Sequence, residues 1–125
     1  MELILKAREC KREQKFRIFV PMEELTASQE LKSRLAGQKM FVQGSIDLIL
    51  CMEDGSLLLV DYKTDRMSRQ EKTDPELYCA RLRAQHRDQL SVYTRAMEAL
   101  FKKAPDDVRI YSLPLGETVR LYDGN

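Results

Sequence analysis

Asp47, Asp61 and Lys63 are the residues whose types and spacing can do chemistry. Asp61 and Lys63 sit two apart in the short apolar run Ser56–Lys63 (SLLLVDYK). Side chains two apart on a strand share a face, so these two point one way while Val60 and Tyr62 point the other. Asp47 interrupts a second apolar run, Ile46-Asp47-Leu48-Ile49-Leu50. A carboxylate in such a run is partly buried, and a buried charge needs a partner. Between the runs lies Glu53-Asp54-Gly55, a turn signal ending in Asp-Gly. Lys39–Cys51 and Ser56–Lys63 therefore read as a β-hairpin that brings Asp47 beside Asp61. Two carboxylates so placed repel and raise one pKa, unless a cation stands between them. Mg²⁺ fits, with Mn²⁺ as a substitute, because a hard ion takes one or two carboxylates plus waters and substrate phosphate. The backbone carbonyl of Tyr62 is available as a further ligand. Such an ion polarises a phosphodiester and acidifies bound water. Lys63, on the same face, can orient the attacking water or stabilise charge developing on the phosphate.

Asp-x-Lys alone equally fits a salt-bridged strand, since 33% of the chain is charged. The joint pattern is more specific: Gly44-x-x-Asp47, a turn, Asp61-Tyr62-Lys63-Thr64, then Gln89 and Tyr93, which share a face of a helix because they are four apart.

These residues need elements to hold them. Lys15–Val20 alternates and is β-rich, so a strand is predicted, stopped by Pro21. Met22–Ala36, followed by Gly37, reads as a short helix. Thr64–Asp74 is polar and reads as a loop. Asp74 suits an N-cap and Pro75 a first helical position. From there Leu82, His86, Gln89, Leu90, Tyr93, Met97, Leu100 and Phe101 recur at helical spacing, predicting one long helix that ends near Pro105. Val108–Leu115 and Thr118–Tyr122 read as two closing strands. The order strand, hairpin, helix, strand, strand predicts an α/β (α+β) fold with a mixed sheet, a central hairpin and a crossing helix.

At 125 residues the chain has room for a single domain, 1–125. Hydrophobic residues make up 43%, which excludes disorder. No run approaches the roughly 18 apolar residues of a membrane span, and the start, MELILKAREC, lacks the apolar core of a secretion signal. A cytoplasmic protein without membrane contact is expected. Net charge is +1, so no global basic signature exists. Residues 66–95 nonetheless carry seven basic side chains (Arg66, Arg69, Lys72, Arg81, Arg83, Arg87, Arg95) against four acidic ones. That excess suits a polyanion, but a solvated helix face accounts for it better. Cys10, Cys51 and Cys79 form no CxxC pair, so they read as reduced structural thiols rather than zinc ligands.

The run GSIDLILCMEDGSLLLVDYKTDR resembles the nuclease domain of the AddA and RecB family, in the PD-(D/E)xK nuclease superfamily. Arg12-Glu13-x-x-Phe16 resembles the family's Arg-Glu-x-x-Phe segment, Gln89-Leu90-x-x-Tyr93 its Gln-Leu-x-x-Tyr helix motif, and the final strands its last hairpin. The resemblance covers nearly the whole chain. It implies a restriction-endonuclease-like core and metal-dependent DNA cleavage. It makes Asp47 and Asp61 metal ligands, Lys63 the catalytic lysine, and Gln89 and Tyr93 supports near the scissile strand. Glu13 matches a position of less settled role, and pairing with Arg12 or Arg17 or facing solvent is its plainer reading. The implied partners are DNA, helicase domains of the same polypeptide and an AddB-like subunit. The implied setting is double-strand break repair.

Two departures matter. The family places another metal-associated residue, often His, on a helix before the first strand, and this chain starts too late to hold it. The chain thus reads as the C-terminal fragment of a larger helicase–nuclease, with weakened metal binding. One sheet face is expected to lie bare around Val42, Ile46, Leu48, Leu58 and Val60, inviting self-association. His86 stands where the family usually has Tyr, and reads as a packed or surface residue. No cysteine follows residue 79, so the iron–sulfur cluster of AddB-type relatives is not expected. Two other readings stay open: a nuclease-like module that grips DNA or a partner without cutting, and a free-standing phage or restriction-type exonuclease.

Overall fold

The computed structural model describes residues 2–25 and 28–122. In chain order these form α1 (Glu2–Lys6), β1 (Ala7–Pro21), a 3₁₀ turn (Met22–Leu25), α2 (Gln29–Leu35), β2 (Lys39–Met52), β3 (Leu57–Lys63), α3 (Arg69–Thr73), α4 (Pro75–Phe101), β4 (Asp107–Ser112) and β5 (Glu117–Arg120). One sheet holds all five strands in the order β1-β2-β3-β4-β5. Every neighbouring pair is antiparallel except β3–β4, which is parallel. A parallel step needs a long crossover, and α4 supplies it with 27 residues, roughly 40 Å of helix. The sheet is mixed, with the β2–β3 hairpin at its centre and α4 crossing it, as the sequence predicts.

The hairpin turns where expected, at Gly55 with φ 89°, a left-handed conformation that glycine adopts without steric cost. Asp54 locks the turn by accepting hydrogen bonds from Ser56 N–H (2.9 Å) and Ser56 Oγ (2.6 Å). Other boundaries differ. The first strand begins at Ala7, eight residues before Lys15, because β2 gives it a partner along its whole length. The helix expected over Met22–Ala36 is two pieces, α2 starting at the N-cap Ser28. The expected loop Thr64–Asp74 contains α3, held by a reciprocal capping box between Ser68 and Glu71. Asp74 does precede α4, with Pro75 in its first turn, but its side chain makes no cap. The closing strands end earlier than expected, and α4 ends at Lys102 in the left-handed region.

α4 lies over one face of the sheet. Its buried residues include Tyr78, Cys79, Leu82, Leu90 and Met97. They pack with Phe16, Ile46, Ile49, Cys51, Leu57, Leu59, Val108 and Ile110. Leu100, expected in this stripe, is instead exposed. Truncating a fully buried residue such as Leu90 to Ala costs about 2–5 kcal/mol. Leu48, Leu50, Leu58 and Val60 form a second cluster, packed by Ile4 of α1 and by Ala7, Met52, Tyr62 and Tyr111. The bare patch expected around Val42, Ile46, Leu48, Leu58 and Val60 is therefore not present. Val42 and Ile46 belong to the α4 side, while Leu48, Leu58 and Val60 face the other way and are buried. The ground for self-association on that patch falls away with it. Of the thiols, Cys10 is exposed and Cys51 and Cys79 are buried, all free.

Candidate active site

The split of that patch has a local cause that also builds the site. On β2, Val42 and Ile46 pack toward α4, yet so do Ile49 and Cys51. Even-numbered residues face α4 before Asp47 and odd-numbered ones after it, so the strand's alternation reverses there. Glu13 on β1 and Asp47 on β2 both lie between the rungs Arg12–Leu48 and Gln14–Ile46. The φ of Glu13 is 50°, an uncommon left-handed conformation for a residue with a side chain. The ladder swivels between these rungs.

β2 pairs with β3 only from Leu48–Val60 to Cys51–Leu57. Asp47 and Asp61 stand one step past the last rung, at the mouth of a fork. From there β3 stays with β4 through Asp61–Ile110 and Lys63–Ser112, and β2 stays with β1. Asp47 Oδ2 bridges the opening by accepting the Tyr62 N–H at 2.9 Å.

Asp61 follows Leu57 and Leu59 onto the α4 side and is 3% exposed. Lys63 Nζ stands 2.8 Å from Asp61 Oδ2. The approach is close enough for an ion pair, yet among the described residues this buried oxygen meets no hydrogen-bond partner. Burial foremost pushes the Asp61 pKa up to about 6; Lys63 opposes the rise and Asp47 adds to it. Lys63 Nζ donates to Gln89 Oε1 at 2.8 Å, and Gln89 Nε2 donates to the Tyr93 hydroxyl at 3.2 Å. Burial, then the Asp61 charge, raises the Tyr93 pKa. The Tyr93 ring meets Phe16 edge-on, with centroids 5.5 Å apart. Gly44 lies beneath both: a Cβ there would stand 3.0 Å from the Phe16 ring and 3.7 Å from Tyr93. Asp47, Asp61, Lys63, Gln89 and Tyr93, singled out from sequence, are thus brought to one place. Tyr62 lies there too, its ring on the opposite face against Tyr111.

An oxygen-only donor pair with one orphaned, buried carboxylate oxygen suits a hard divalent cation. Among the described residues no third His, Cys, Asp or Glu joins the two acids. Glu13 is exposed. His86 lies 3.1 Å from Asp65, away from the two acids.

Tyr78 and Arg81, which the sequence does not mark as site residues, hold the loop after Lys63. The Tyr78 hydroxyl donates to the Asp65 carbonyl (2.6 Å) and lies 2.8 Å from Ser112 Oγ. Arg81 donates to the Arg66 carbonyl (2.7 Å) and to Glu71 (2.7 and 3.1 Å). The Ser68-x-x-Glu71 spacing was a readable capping signal; the Glu71–Arg81 pairing, made between two helices, was not. Much of the basic excess of residues 66–95 is used internally. Arg81 meets Glu71, Arg95 meets Glu24, Arg83 donates to the Arg120 carbonyl and Arg87 lies over the Tyr122 ring. Arg66, Arg69 and Lys72 are exposed.

A family model of the PD-(D/E)XK nuclease superfamily matches residues 2–120. Among curated proteins, the ATP-dependent helicase/nuclease subunit of Moorella thermoacetica is 36% identical over 114 residues, which is 91% of this chain and 7% of that protein. The protein of the same name from Heliobacterium modesticaldum is 32% identical over 116 residues, 93% of this chain and 8% of that protein. The one from Bacillus pumilus is 28% identical over 122 residues, 98% of this chain and 9% of that protein. The chain spans less than a tenth of the length of these relatives.

Proposed function

This chain belongs to the PD-(D/E)XK nuclease superfamily, and from that premise we propose that it is a Mg²⁺-dependent DNA nuclease module acting from the fork between β2 and β3. The observation that carries the reading is the orphaned Asp61 oxygen, buried beside Asp47 and Lys63. Asp47 and Asp61 would hold the ion, with the Tyr62 carbonyl as a third donor. Bound there, Mg²⁺ or Mn²⁺ supplies a Lewis acid for the phosphodiester and acidifies water. Lys63 has three donors; Gln89 takes one, Asp61 faces another, and the third is available to a phosphate oxygen or the attacking water. Tyr93 accepts from Gln89 and so keeps its own proton to donate to the scissile strand. Arg66, Arg69 and Lys72 offer charge to the phosphate backbone.

The relatives' names support a link to helicase domains, and the resemblance to the AddA and RecB family extends the proposal further. The module acts as an exonuclease joined to helicase domains of one polypeptide, with an AddB-like partner subunit, in cytoplasmic double-strand break repair. The test is cleavage of labelled linear DNA in Mg²⁺ or Mn²⁺. Lys63→Ala should abolish cleavage, by a thousandfold or more on the order expected for removing a transition-state contact, with an unchanged circular dichroism spectrum. A folded variant that still cuts at the wild-type rate would defeat the assignment.

A further inference from the structure

Past the fork the β1–β2 ladder runs on as a two-stranded arm, from the rung Lys15–Ser45 to the rung Pro21–Lys39. Its α4 side carries Phe16, Ile18 and Val42, which pack with the main core. Its other side carries Lys15, Arg17 and Phe19 from β1 and Lys39, Phe41 and Gln43 from β2, all exposed. Phe19 and Phe41 stand directly opposite in register. Their ring centroids are 5.5 Å apart at an interplanar angle of 58°, and they remain 67% and 51% exposed. No carboxylate occupies these positions. Among the described residues Lys15, Arg17 and Lys39 make no ion pair.

We propose that this face is a stacking platform for single-stranded nucleic acid, separate from the hydrolytic fork. Phe19 and Phe41 take unstacked bases, and Lys15, Arg17 and Lys39 meet the phosphates. The argument is one of charge and shape. Two exposed rings accept any base, since every base has a π-face, and a cationic surround tracks the backbone. A duplex hides its base faces and offers the rings nothing. A protein partner is a poorer match, because interface cores are depleted of charge and three cations without a carboxylate would be desolvated with no compensation on this side. The platform lies six residues along β2 from Asp47, roughly 20 Å at strand rise. That is close enough to feed a strand toward the site yet too far to join it. The inference takes the identity of the polymer from the nuclease reading, but its own evidence is the arm.

The chain has no tryptophan, so Phe41→Trp places a single indole on the platform. In EDTA, where cleavage cannot proceed, a labelled oligothymidylate should quench that indole as it binds. In the same buffer the Phe19→Ala/Phe41→Ala double variant should bind about thirtyfold more weakly, or worse, by fluorescence anisotropy. Lys15→Glu should lower affinity and flatten its salt dependence. Circular dichroism confirms that each variant is folded. Unquenched indole, or equal affinity of the wild type and the folded double variant, overturns the platform. A wild-type dimer that the double variant converts to monomer, with DNA affinity unchanged, overturns it in favour of a protein interface. These arms are independent of the Lys63→Ala assay: loss of the platform beside Lys63-dependent cleavage leaves the nuclease reading standing, and the reverse result leaves the platform standing.

Discussion

Asp61 and Glu71 are both buried carboxylates, 3% and 4% exposed, and each has a basic side chain beside it. Their surroundings could hardly differ more. Glu71 accepts the Ser68 N–H at 2.7 Å and two Arg81 donors at 2.7 and 3.1 Å. The Arg81 guanidinium first, then the Ser68 N–H, holds its pKa down at about 2. Asp61 has one ammonium at 2.8 Å, a second carboxylate nearby, and a pKa pushed up to about 6. A carboxylate with both oxygens hydrogen-bonded is finished as structure. One that is buried, faces a single ammonium and crowds a second carboxylate has room for a cation. The comparison separates the residue that holds the loop from the residue proposed to hold the metal, although both look alike by burial.

The largest effect expected from this contrast is on metal binding. Calorimetric titration with Mn²⁺ should show binding that Asp61→Asn removes and Glu71→Gln leaves in place. Loss of binding in both variants would mean that Glu71 only supports the site at a distance and that the contrast is one of degree.

The second expectation is opposite signs of stability in the metal-free state. At pH 8, Asp61→Asn replaces a carboxylate that burial disfavours and should stabilise the chain by roughly 1–3 kcal/mol. Glu71→Gln breaks an aligned pair and should lower the denaturant midpoint. Urea titration of both variants checks this, and two shifts in the same direction would break the comparison.

The third is the pH profile of the metal-free chain. Asp61 holds its proton more tightly when folded. Its contribution is therefore present below its ordinary pKa of 3.8 and lost as pH rises through about 6. Glu71 behaves in the opposite sense: its contribution is complete above its ordinary 4.5 and lost as pH falls toward 2. Stability should peak between these windows, at about pH 4–5. Saturating Mn²⁺ should then raise stability most above pH 6, where Asp61 is ionised. A flat profile above pH 4 would show that Asp61 is answered after all.

The smallest expected effect is at Gly44. A methyl group there would stand 3.0 Å from the Phe16 ring, which must give by a few tenths of an ångström, so Gly44→Ala should cost about 1 kcal/mol by overpacking. Activity should fall further than the folded fraction does, because Phe16 supports Tyr93. Parallel melting curves and cleavage assays separate the two losses.

Much of the site could be read before the fold was seen, because its parts obey short periods. Asp61 and Lys63 share a face through the two-residue step, Gln89 and Tyr93 through the four-residue step, and Asp54-Gly55 turns the hairpin between the acids. The reversal at Asp47 was hidden from that reasoning. It depends on a left-handed backbone at Glu13, a residue with no local signal for such a conformation, on a strand more than thirty positions away in sequence. Strict alternation consequently put Ile46 and Leu48 on one face, and the structure puts them on two. The loop anchors Tyr78 and Arg81 escaped notice for a similar reason: their partners lie in other elements.

The parallel pairing of β3 with β4 has a kinetic consequence. β1, β2 and β3 join neighbours along the chain, whereas β4 reaches β3 only after the whole of α4 has been laid down between them. Short-range pairs close before long-range ones. During folding Asp47 and Asp61 therefore meet before α4 has brought Gln89 to Lys63, and the two acids wait at an open fork. Pulse-labelling hydrogen exchange should protect the β2–β3 amides ahead of those of β4. Simultaneous protection would mean that the helix and both strand pairs form in a single step.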